Sequence, residues 1–168
     1  MKMFKRFAAA LLVGVMALAM LTACGKEAIV RDTEQEKTAI ALTQTAAKTK
    51  LKVDLKEDET VTGIAATGLP AVVDLYNAVM KQDKEAGAAA ANDLLTTVNE
   101  KLAAAGKKGI VIFDVVPGVL TDKIMEAEFE ALQAQVGQLP AGFVPTKVGA
   151  AVTKKGDYTA FVIIVTNE

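Results

Sequence analysis

Residues 159–166, TAFVIIVT, restrict the fold more than any other stretch of the chain. Successive side chains of a strand point to opposite faces, and here both faces are apolar. Such a strand must lie inside a sheet that is covered on each side. Residues 147–153 have strand character too, and Lys154-Lys155-Gly156-Asp157 separates the two runs with a Gly-Asp pair suited to a hairpin turn. The end of the chain is therefore predicted to be a β-hairpin at the centre of a helix-covered sheet.

The rest of the pattern supplies the covering layers. Residues 33–36 have capping-box spacing, Thr33 followed by Glu36, and should open a helix of about 15 residues bearing Ala39, Leu42 and Ala46 on one side. Residues 50–56 alternate, with Leu51, Val53 and Leu55 on one face, which predicts a half-buried strand. Residues 57–59 read as a polar turn, and 61–64 as a short partner strand. Pro70 suits the first turn of a helix carrying Val72, Leu75, Tyr76, Val79 and Met80. Asp83 should cap the next helix, whose stripe is Leu94, Leu95, Val98 and Leu102 and whose end is Gly106. The run GIVIFDVV, 109–116, predicts a covered strand ended by Pro117-Gly118. A helix from Thr121 to about Val136 follows, with Met125, Phe129, Leu132 and Val136 at helical spacing and Gly137 as its cap; a Pro/Gly loop then runs to Pro145. The sum is an α+β fold: one domain with a mostly antiparallel sheet of three to five strands against three or four helices.

The first residues predict a destination. Lys2, Lys5 and Arg6 form a basic head, and Ala8 to Ala23 carry no charge. That order is the layout of a secretory signal. Leu21-Thr22-Ala23-Cys24 resembles the bacterial lipobox. The resemblance implies diacylation of the Cys24 sulfur, cleavage before Cys24 and acylation of the new amino group. Residues 1–23 are thus expected to be the signal peptide, 24–32 a lipidated cysteine and tether, and 33–168 the domain. More than one acyl chain is needed for a lasting anchor. No later apolar run approaches spanning length, so the lipid on Cys24 is expected to hold the chain at the extracytoplasmic face of a bacterial cell membrane.

Composition excludes much chemistry. The residues after Ala23 hold 16 basic and 20 acidic side chains, a mildly acidic balance that gives no case for nucleic-acid binding. The chain has no His, no Ser and no Trp, and its sole Cys is the predicted lipidation site. Ser-His-Asp and Cys-His catalysis are therefore absent, as are the usual ligands of zinc, copper and haem, and no cofactor is expected. Arg31 is the only arginine after Arg6.

Carboxylates remain. Asp114 interrupts an apolar strand just before a Pro-Gly loop, where a raised pKa would suit acid–base work. Glu126 or Glu128 could supply the second carboxylate that a glycosidase-like pair requires. Asp114 could equally mark the sheet edge or cap the following turn. Asp122, Glu126 and Glu130 are spaced four apart on one helix, a face that could take a hard cation such as calcium, dock a basic partner, or simply be solvated.

The tail FVPTKVGAAVTKKGDYTAFVIIVTN is similar to the last two strands of the cysteine-rich secretory protein superfamily, which implies an α-β-α sandwich. That family's cleft uses histidines and glutamates, and the lack of histidine here means that no site residue carries over. The expected function is a non-catalytic binding or scaffold domain of an envelope lipoprotein, with an envelope protein or the cell wall as partner. The alternative is a carboxylate-dependent hydrolase acting on cell-wall or glycan material.

Overall fold

The computed structural model describes residues 29–135 and 143–167. Cα packing divides the chain into Met1–Val30 and a compact unit Arg31–Glu168. The compact unit is an α+β domain. Its elements run α1 (Thr33–Ala46), a π-helical turn (Ala47–Leu51), β1 (Lys56–Glu57), α2 (Glu59–Thr67), α3 (Leu69–Met80), α4 (Lys84–Ala104), β2 (Gly109–Pro117), α5 (Asp122–Gln135), β3 (Lys147–Lys155) and β4 (Tyr158–Thr166).

The sheet has the order β1-β3-β4-β2. The short β1 runs parallel to β3, and the β3/β4 and β2/β4 pairs are antiparallel. The C-terminal hairpin is central, with β4 between β3 and β2. Its two-residue loop is Gly156-Asp157, and Gly156 has the positive φ of 59° that such a loop needs. All the side chains from Thr159 to Thr166 are buried, as a strand covered on both faces requires.

On one face Phe161, Ile163 and Val165 of β4 and Val148, Ala150 and Val152 of β3 join Ala39, Ile40 and Ala46 of α1 and Met125 and Phe129 of α5 in one core. On the other, Gly149 receives α2: a Cβ on Gly149 would lie 2.2 Å from the Thr62 nitrogen. The start of α3 lies between Val162 of the sheet and Val98 of α4, both within 3.3 Å of a Cβ built on Gly68.

Five helices cover the sheet among the described residues, because 61–64 are helical rather than extended. The Asp58 side chain accepts from the Val61 backbone N–H and caps α2. Val61, Ile64 and Ala65 are then buried at i, i+3 and i+4, a helical stripe that Gly63 and the threonines obscure in the sequence. Residues 50–55 are not a strand either. The π-helical turn ends at Lys52, which has φ 59°, and only Lys56–Glu57 pair with β3. Leu51, Val53 and Leu55 nevertheless pack on the core as the alternation required.

The α1 cap is Asp32, which accepts from Gln35 N; Thr33 is already helical. Asp83 caps α4, and Leu94, Val98 and Leu102 are its buried stripe. Val79 and Met80 depart from expectation at 58% and 53% exposed. Val136, Gly137 and most of the predicted Pro/Gly loop lie outside the described residues, as does Cys24. Among the described residues no single helix is long and apolar enough to cross a membrane; α2 and α3 pass that test only as a pair bent by 42°.

Candidate functional site

Asp114 lies on β2 between Ile112 and Val116, both buried in the α1/α5 core. Residues i and i+2 of a strand share a face, so Asp114 is directed toward α5. On α5, Met125 and Phe129 enter the core, and Glu128 stands on the flank beside them, one helical turn beyond the partly buried Ile124. The two carboxyl groups hydrogen-bond to each other. Burial, then the Asp114 charge, then this hydrogen bond push the Glu128 carboxyl up to about 7. Near neutral pH the Glu128 carboxyl therefore still keeps its proton in a large share of the molecules. Asp114 also accepts the Val115 N–H at 2.7 Å. Directly opposite Asp114 in the ladder is Phe161, which offers no cation.

The other sequence candidates are scattered by the fold. Glu130 pairs with Lys50 at 3.0 Å. Asp122 and Glu126 line a groove of about 200 Å³ between α1 and α5, whose apolar surface is Leu42, Ala46 and Met125. Asp122, Glu126 and Glu130 form no cation site: among the described residues no group of three or more Asp, Glu, His or Cys side chains lies close enough to hold a metal ion. The pairing the sequence left open is resolved as Asp114 with Glu128, not Glu126. Glu128 flanks Met125 and Phe129 on the sheet side, whereas Glu126 is exposed over the groove.

Two further polar clusters were not anticipated. Arg31 forms a bidentate pair with Glu36, at 2.7 and 2.8 Å, and Glu36 also accepts the Val152 N–H of β3 at 3.2 Å. Glu36 is 5% exposed, so its charge is balanced by the guanidinium and the amide together. The signal available in the sequence was a lone arginine five residues before a helical glutamate. At the other end of β3, Lys107 reaches Asp58 at 3.3 Å. Burial raises the Asp58 pKa, but the Val61 N–H and Lys107 outweigh it and hold the carboxyl below its usual range. The two tyrosines pack against each other with ring centres 5.4 Å apart, on the face of the sheet away from Asp114.

No family model, no curated protein and no solved structure matches this chain.

Proposed function

We propose that the chain is an envelope lipoprotein, held to the extracytoplasmic face of a bacterial membrane through Cys24, whose α+β domain is a non-catalytic binding or scaffold module. The observation that carries the reading is the order of basic head, apolar run, Leu21-Thr22-Ala23-Cys24 and folded domain. The absence of His and Ser, with the single Cys at the lipidation position, takes Ser-His and Cys-His nucleophilic catalysis out of reach.

The geometry of the carboxyl pair argues against the hydrolase alternative. A glycoside hydrolase holds its two carboxyls about 5 to 10 Å apart, because the sugar and the attacking water or nucleophile pass between them. Asp114 and Glu128 are in hydrogen-bond contact, which leaves no such gap. The groove between α1 and α5 is lined by neither residue. The tyrosines, which a sugar site would use for stacking, are occupied with each other.

Two variants in intact cells test the reading. Cys24→Ala should move the protein from the membrane fraction to the soluble fraction; a signal-processed Cys24→Ala chain that stays in the membrane would overturn the anchor. Asp114→Asn should at most weaken, and not abolish, complementation of a null-mutant envelope phenotype, because it removes one charge and no bond-breaking group. Complete loss of complementation by a folded Asp114→Asn protein would restore the hydrolase reading.

A further inference from the structure

β2 ends the sheet, and among the described residues no strand lies beside its outer edge. The ladder shows which backbone groups are open there. Beyond the strand ends, Gly118 N donates to Asp157 O at 2.7 Å and Asn167 N donates to Lys108 O at 3.3 Å. These are the pairs 118–157 and 108–167, which continue the β2–β4 register at even positions of β2. In an antiparallel pair hydrogen-bonded positions alternate. Residues 110, 112, 114 and 116 thus bond to β4, while 109, 111, 113 and 115 turn their backbone groups outward. The Val115 N–H obeys this rule, for it is taken by the Asp114 carboxylate and not by β4.

The edge is therefore closed at one half and open at the other. Asp114 occupies the donor at Val115, as charged side chains on edge strands do. The Val111 and Phe113 N–H groups and the carbonyls of Gly109, Val111 and Phe113 face outward, beside the half-buried side chains of Ile110, Val111 and Phe113. Extended segments recognise such an edge by adding a strand. Where the open half meets the closed half stands the Asp114–Glu128 pair, two acids in contact with no cation opposite.

We propose that the outer edge of β2 from Gly109 to Phe113 receives an extended segment of a partner protein, and that a lysine or arginine of this segment is bound by Asp114 and Glu128. Charge selects this occupant over a second copy of the chain. Two β2 edges paired about Phe113 would gather two Asp114–Glu128 pairs at one contact, and like charges close together across a ladder are destabilising. The proposal deepens the binding-module reading and rests on it. It does not depend on the anchor, so it fails or stands separately from the Cys24→Ala test.

The test uses the full chain in detergent micelles, labelled with ¹⁵N. The probe is a capped six-residue peptide of alternating Thr and Val with lysine as its fifth residue; the control has glutamate there. The lysine peptide should shift the Val111 and Phe113 amides saturably and slow their hydrogen exchange, leaving the amides of 110 and 112 in place. The glutamate peptide, and the lysine peptide on Asp114→Asn, should bind about threefold to fivefold more weakly. Val111→Pro removes an outward N–H that the β4 ladder does not use, so it should keep the fold and lose the peptide. Equal binding of the two peptides, no saturable shift at Val111 and Phe113, or shifts there that follow protein concentration without peptide would each overturn the proposal. The last result would assign the edge to a second copy.

Discussion

Glu128→Gln isolates the energetic consequence of the raised Glu128 carboxyl. Glu128 is shifted from 4.5 to about 7, so between those pH values the folded state holds a proton that the unfolded chain has released. Folded protein binding more protons than unfolded means that stability falls as pH rises. The contribution is fully present below pH 4.5 and is lost as pH passes through about 7. A displacement of about 2.5 units corresponds to roughly 3.4 kcal/mol with no screening. Water reaches part of Glu128, and screening reduces this to about 1–2 kcal/mol. In a domain of this size that is ~3–8 °C in Tm. The assay is thermal unfolding followed by circular dichroism from pH 4.5 to 8. The wild type should lose that increment across the range. Glu128→Gln keeps a neutral donor for Asp114 but cannot ionise, so its Tm should be nearly flat and should exceed the wild-type value at pH 8. Identical pH profiles for the two proteins would refute the reasoning, because the proton would then lie elsewhere.

Two further outcomes test the packing. Gly149→Ala places a methyl 2.2 Å from the Thr62 nitrogen and 2.5 Å from the Val61 carbonyl carbon; backbone must move, and denaturant unfolding should show a loss of about 2–4 kcal/mol. Arg31→Ala leaves the buried Glu36 carboxylate with only the Val152 amide, which should cost about 2–4 kcal/mol. Adding Glu36→Gln to Arg31→Ala should recover part of that loss, a pattern that a merely truncated arginine would not give.

The legible parts of the fold were those whose signal is a repeating side-chain pattern. β4 declares itself because six apolar residues in succession leave no solvent face. α4 does so because Leu94, Val98 and Leu102 recur at helical spacing behind a capping Asp83. Residues 61–64 look extended in the sequence because the cap of α2, Asp58, sits in a polar run resembling a turn, and Gly63 hides the stripe. The strand and the helix that carry Asp114 and Glu128 could each be read from the sequence. Their contact could not, because it depends on how α5 is set on the core with Met125 and Phe129 buried, and core shape decides that placement. The choice between Glu126 and Glu128 turns on which flank of α5 meets the sheet, about half a turn of helix.

The Arg31–Glu36 clasp also decides how the domain bears a pull from upstream. Arg31 bridges to Thr153, Asp32 N donates to Val152 O at 2.8 Å, and Lys154 reaches Asp32 at 3.6 Å. The chain thus enters the domain along the edge of β3, held there by several bonds in parallel. Tension applied at residue 30 loads this seam before it reaches α1 or the core. Six residues lie between Cys24 and Arg31, a reach of at most about 24 Å. For the anchored chain proposed above, that reach would keep the domain near the bilayer, and the seam would be its mechanical fuse, parting before α1 or the core is put under load.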